Sequence, residues 1–369
     1  MEIEAFLNAM VKHNASDLFL SAGAPAGIKI DGKTRRLGET PLEVNQVREL
    51  AYSILNDKQI SEFESELELN LAIALRKLGR FRVNVFRQRG SVAMVIRHIK
   101  ASIPSLEDLN LPPILKKLIM EPRGLVLVVG ATGSGKSTTL ASMIDYRNQR
   151  ETGHILTIEE PIEFLHKHKK SIVDQRELGL DTLSYHNALK NAMREAPDVI
   201  LIGEIRDAET MKHAISYADT GHLCLSTLHS NNASQTMDRI INFFPDSAHH
   251  QLFVDLSEHL SAIVSQRLVP TVEGGRVPAV EVLVRTPYVA DLIEKRDLDG
   301  LKDAMKDGAQ DGMQTFDQAL LKLYEEGRIS EKEALANADS RNNLSLGIRM
   351  TRDHGTQDAP SGLDIQQWE

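Results

Sequence analysis

The sequence predicts an α/β protein: a parallel-rich sheet built around a phosphate-binding loop, preceded by a smaller α+β domain. Three observations carry this. Gly130, Ala131, Thr132, Gly133, Ser134, Gly135, Lys136 and Ser137 fit G-x-x-x-x-G-K-[ST]. The apolar run Leu125–Val129 leads into the motif and a helical stretch from Thr138 to about Tyr146 leads out, which is the strand–loop–helix context its mechanics require. Beyond it, short apolar runs alternate with amphipathic stretches, the pattern of a doubly wound, largely parallel sheet.

The first hundred residues set the smaller domain. Ile3, Phe6, Leu7, Met10 and Val11 recur at helical spacing over 2–13. Residues 17–20 and 27–30 read as strands, with Asp31-Gly32 a turn signal after the second. Residues 44–55 and 59–64 read as helices. Residues 80–87 alternate, with Phe81, Val83 and Val85 on one face and Arg80 and Arg82 on the other; Gln88-Arg89-Gly90 should join them to a strand over 91–99. Pro104, Pro112 and Pro113 mark 101–113 as a linker between domains at 1–100 and 114–345.

In the larger domain, strands are expected at 125–129, 154–158, 172–174, 198–202 and 222–227. Helices are expected at 136–148, 184–195, 207–218, 233–242 and 248–267, and further helices at 312–326 and after Ser330, where Ser330 and Glu333 read as a capping box. From 346 to 369 the chain is polar and reads as a disordered tail, with Trp368 its one notable side chain.

Composition excludes several classes. At 369 residues with 41% hydrophobic content, the chain suits two or three domains with real cores. A net charge of −9 offers no global basic field for nucleic acid or anionic lipid. The basic cluster Lys167-His168-Lys169-Lys170 has no interleaved aromatics and reads as a solvated turn. Cys224 is the only cysteine, which excludes an internal disulfide and a four-cysteine zinc module and suits a reducing compartment. The acidic start has no positive n-region, and no apolar run approaches the ~20 residues of a membrane span. The expected location is the cytoplasm, with no nucleic acid among the partners.

The chemistry-bearing residues follow the loop in order. Backbone N–H groups of residues 130–138, at a helix N-terminus, form an anion cradle. Lys136 should reach the β- and γ-phosphates of ATP, and the Ser137 hydroxyl should sit on Mg²⁺. The apolar strand ending at Ile158 is followed by Glu159, Glu160 and Glu163. These acids stand at the sheet edge where ligands bind and where water must be activated. Asp198–Glu204 reads as a Walker B strand, with Glu204 near Mg²⁺ and water. His222 and His229 bracket another core strand, either as structural imidazoles or as γ-phosphate sensors. Arg80, Arg82 and Arg97 are anion clamps or surface cations, and hairpin register decides whether Arg97 joins the other two. Gln266-Arg267-Leu268-Val269-Pro270, read as the end of a helix, either flanks the base or closes the helix on a cation.

Taken together, these boxes resemble the secretion-type hexameric ATPases of type IV pili and type II secretion, and among them the pilus retraction motors of the PilT/PilU type. The resemblance runs from about residue 2 to 345. It rests on Ala15–Leu18, Gly79–Val83, the phosphate loop, Thr157–Glu163, Glu204, Gly221–His229 and Gly312–Asp317. Gly203–Arg206, His222–Leu225, Ser230–Ala233 and the extended tail lean toward the PilU branch.

The resemblance implies a PAS-like first domain, a RecA-like second domain with ATP between them, and a homo-hexameric ring. It matches Glu163 and Glu204 to the catalytic and Walker B glutamates. Arg82 and Arg97 match the arginines that reach phosphate, and His222 and His229 the paired histidines. It also implies an inner-membrane pilus platform protein and a companion retraction ATPase as partners, met at the cytoplasmic face of the membrane. Glu160 stands where the family usually has Asp. Tyr288–Ile293 departs from the Ala-Ile-Arg-Asn-Leu-Ile motif of the main retraction motor, which favours an accessory role.

Overall fold

The computed structural model describes residues 2–30, 32–75, 78–99 and 102–355. They fall into two units: Met1–Ile103 with Pro161–Lys167 and Arg176–Ser184, and Pro104–Glu160 with His168–Gln175 and Tyr185–Glu369.

The first unit is organised by six strands: β1 Asp17–Ser21, β2 Gly27–Ile30, β3 Lys33–Arg36, β4 Glu68–Leu75, β5 Gly79–Gln88 and β6 Ser91–Ile99. Their order is β3-β2-β1-β6-β5-β4, and every pairing is antiparallel. Helices Ile3–Lys12, Val44–Tyr52 and Asp57–Glu66 supply Leu7, Met10, Val47 and Phe63 to a core shared with Phe81, Val83, Val85, Met94 and Ile96. The alternation of β5 thus buries the face the sequence marks. Gln88 pairs with Ser91 across Arg89 and Gly90, which sit at φ 50° and 77°. Positive φ at both central residues is the backbone that a tight two-residue hairpin turn demands. β4 is not among the expected strands. Its Leu-Ala-Ile-Ala-Leu end favours a helix by local propensity, and pairing along β5 overrides that preference. Asp31, in the expected turn, lies outside the described residues, as do residues 356–369 with Trp368.

The second sheet has β7 Gly124–Val129, β8 Gly153–Glu159, β9 Ser171–Glu177, β10 Val199–Ile202, β11 Leu223–Leu228, β12 Leu260–Pro270 and β13 Arg276–Val284; all of it belongs to the second unit except Arg176 and Glu177, the end of β9. The order is β13-β12-β7-β11-β10-β8-β9, and the pairings from β12 through β8 are all parallel. Leu125, Leu127 and Val129 join one core, whereas Val126 and Val128 join another. A strand buried on both faces reads as a continuous apolar run, which is why β7 shows no alternation.

Two expectations are corrected. The helix expected over 248–267 ends at His259, and Leu260–Pro270 is an inner strand. Apolar spacing of three to four continues from Leu252 through Leu256, Leu260 and Ile263, so periodicity alone passes over the switch. Residues 341–355 form a helix, so the tail is ordered at least that far. Leu344 and Ile348 pack with Phe316, Leu320 and Leu323, an apolar stripe too sparse to stand out in a polar segment. No helix among the described residues is long and apolar enough to cross a membrane.

Candidate nucleotide site

Parallel strands with a common direction deliver the residues that follow them to one edge. β7, β11, β10 and β8 are consecutive neighbours. The phosphate loop follows β7, His229 follows β11, Glu204 lies two residues beyond β10, and Glu159 and Glu160 close and follow β8. The acids after the strands therefore converge on the edge that carries the loop.

The loop itself is held from both sides. Gly130, Gly133 and Gly135 sit at φ 153°, 78° and 93°. A Cβ on Gly130 would lie 2.5 Å from both the Gln266 carbonyl oxygen and Ser134 Oγ, and one on Gly135 would lie 2.7 Å from Gln266 Nε2. Gln266, on β12, is buried and accepts a 2.7 Å hydrogen bond from Thr139 Oγ1, which ties the strand to the helix Lys136–Asn148. Lys136 is buried, and its Nζ donates to the carbonyls of Gly130 (2.8 Å) and Ala131 (3.1 Å), so the ammonium is aimed across the loop. Two hollows open beside it. One, of about 350 Å³, is lined by residues 130–134 with Asn231, Gln266, Arg267 and Arg276; the other, of about 450 Å³, runs from Ala131 past His229 to Arg239. Gly130→Ala should cost about 1–3 kcal/mol by overpacking and weaken nucleotide binding, since either Gln266 or the loop must move. A melting curve with and without Mg·ADP separates the two effects.

Glu204 is mostly buried and clamped. Arg206 Nε donates to its Oε2 at 2.8 Å, and His229 Nε2 lies 3.2 Å from its Oε1. Arg206 also reaches Glu160 at 3.0 Å. The bond to Glu204 raises the Arg206 pKa. Burial, then the nearby Lys136 ammonium, holds His229 below the usual imidazole range, with Glu204 opposing. His229 thus stands against the Glu204 carboxylate on the edge that carries the loop.

His222 does not share this edge. It precedes β11 at the opposite end, and the rise of an extended strand puts it roughly 20 Å from His229. Its Nδ1 lies 3.2 Å from the Tyr217 carbonyl and 3.1 Å from Thr220 Oγ1, where it caps the helix Ala208–Asp219. A sensor role at the phosphates of its own chain is therefore corrected to a structural one. Residues 266–270 are likewise not a helix end. Arg267 pairs with Asp339 at 2.7 Å and stacks 3.8 Å over the Phe316 ring, so it is not a dipole cap.

In the first unit, register answers the arginine question. Arg82 lies directly opposite Arg97, and directly opposed residues share a face, which here also carries Arg80. Arg97 Nε donates to the buried Asp17 carboxylate at 2.9 Å, and Arg80 lies 4.0 Å from Glu177. Burial raises the Glu177 pKa, with Arg82 and Arg80 opposing. Glu163 is exposed in the 161–167 segment of this unit.

Sequence reasoning names Gln266 only within a supposed helix end, and it assigns no role to Arg206 or Glu281. Gln266 is hidden by the helical spacing around it, and Arg206 carries no signal until Glu204 and Glu160 are seen beside it. Glu281 is a charged residue in an unrecognised strand. Its buried Oε1 accepts from Ala233 N (2.8 Å) and Ser265 Oγ (3.1 Å), and burial pushes its pKa up to about 7. The raised value means the folded chain holds this proton more tightly than the unfolded chain. Its contribution to stability is full below the unfolded value of 4.5 and falls as pH rises through about 7, by the linkage of proton binding to folding. Glu281→Gln keeps the acceptor and removes the charge. It should stabilise the protein by on the order of 3 kcal/mol at pH 8 and by under about 1 kcal/mol at pH 5, measured by melting across that range.

A family model described as Type II/IV secretion system protein matches residues 2–336. The Type IV pilus ATPase PilU of Pseudomonas aeruginosa is 54% identical over 351 residues, 95% of this chain and 92% of its own. The Type IV pilus retractation ATPase PilT of the same organism is 44% identical over 338 residues, 92% of this chain and 98% of its own. A crystal structure of the pilus retraction motor PilT with bound ADP matches with a TM-score of 0.88 at 42% identity, covering 94% of this chain and 99% of that one.

Proposed function

Since this chain belongs to the Type II/IV secretion system protein family, we propose that it is an ATP-hydrolysing motor subunit that drives or assists type IV pilus retraction. The observation that carries the reading is the shared sheet edge, where the Lys136 loop, His229 and the clamped Glu204 follow neighbouring parallel strands. In this reading the second unit is RecA-like and the first PAS-like, and six copies form a ring at the cytoplasmic face of the inner membrane.

The loop N–H groups and Lys136 bind the phosphates of ATP, and Glu163 and Glu204 orient and deprotonate water. The half-buried Ser137 hydroxyl and the fixed Glu204 oxygens are hard donors that suit Mg²⁺, which supplies charge neutralisation at the phosphate oxygens. Arg82 and Arg97 are the arginines that reach phosphate in this reading, and Arg97 Nε donates to Asp17. His222, at the far end of its strand, holds the end of the helix Ala208–Asp219 in this reading. Closure passed around the ring works on a membrane platform protein. Calorimetry with Mg·ADP tests the site: saturable heat is expected with wild type, and its absence in folded protein overturns the reading.

The higher identity to PilU than to PilT, with the altered 288–293 segment on the helix Pro287–Glu294, favours a second form of the same function. Here the ring docks on a companion retraction ATPase and its own turnover is dispensable. Unchanged pilus withdrawal in a Glu204→Ala strain decides for this form; lost withdrawal decides against it.

A further inference from the structure

Away from the nucleotide site, three metal-ligating side chains converge. His186 lies on the helix Tyr185–Ala192, and Glu209 and His213 lie on the helix Ala208–Asp219. Their spacing of four positions puts the latter two on one helix face. One ligand atom from each of the three falls within 4.8 Å of the others, and among the described residues no other such trio is found. His186 Nδ1 is already paired with Glu209 Oε1, and the two imidazoles sit with centroids 6.5 Å apart. We propose that His186, Glu209 and His213 form a binding site for a zinc-class divalent cation, bridging the two helices.

Backbone placement supports this. The helices pack through Ala188, Leu189, Met211 and Ala214, and the buried Tyr217 hydroxyl donates to the Leu189 carbonyl at 2.6 Å. Only side chains need adjust. Ligands about 2.0–2.1 Å from a tetrahedral zinc stand about 3.4 Å apart, so small rotamer changes would part His186 from Glu209 and admit the ion. His186 and Glu209 are more than half exposed, which leaves a fourth position open to water and an entry path from solvent. Two imidazoles and one carboxylate select zinc, cobalt or nickel over magnesium. The bridge would brace the helix that starts two residues after Arg206, the clamp on Glu204.

The test is a titration of the full chain with ZnCl₂ against a chromophoric chelator, in excess Mg²⁺ and without nucleotide. One equivalent should bind, and Co²⁺ should give the intense visible bands of four-coordination. His186→Ala and His213→Ala should each weaken binding by more than about tenfold and remove the bands. Circular dichroism melts without metal confirm that the variants are folded. Uptake in both folded variants equal to wild type overturns the site, as does absence of uptake by wild type under excess Mg²⁺.

Discussion

Lys136→Ala should reduce ATP hydrolysis to background, a loss of at least about 10²–10³-fold, because the loop then has no mobile positive charge to follow charge as it develops on the phosphates. Lys136 is the cation the loop places across its own carbonyls, at 2.8 Å and 3.1 Å. A backbone cradle alone still attracts an anion, so weak nucleotide affinity should survive while turnover disappears. Phosphate release measured beside calorimetry separates the two. Wild-type turnover in this variant would end the enzymatic reading.

Glu204→Gln should be comparably severe in rate, by about 10²–10⁴-fold, and far milder in binding. Glutamine keeps the shape and one acceptor oxygen, so the Arg206 and His229 contacts are weakened rather than emptied, and Arg206 still has Glu160 at 3.0 Å. The variant should trap nucleotide, with ADP and ATP affinities within several-fold of wild type. A matched fall in affinity and rate would instead mark Glu204 as part of the loop's structural support.

Much of this site is legible in the sequence alone. The phosphate loop, the apolar β7 ahead of it and the acids after β8 and β10 are local signals, each contained within a short stretch of chain. What sequence does not supply is anything set by pairing between distant segments. Arg97 joins Arg82 only through a register that joins residues fifteen positions apart. Gln266 reaches Thr139 across 127 positions, from a strand whose apolar spacing imitates the helix that precedes it. His222 and His229 look equivalent as brackets of a strand. A parallel sheet nevertheless has two chemically different edges, and only one carries the loop.

Gln266 has one more consequence. The curvature of the phosphate loop is moulded by a strand contributed more than a hundred positions downstream, with both Gly130 and Gly135 in close approach to that one residue. Substitutions along 260–284 at positions that do not line the hollow beside the loop should therefore masquerade as nucleotide-affinity defects. A genetic screen for such defects would pick out this hairpin as well as the motif.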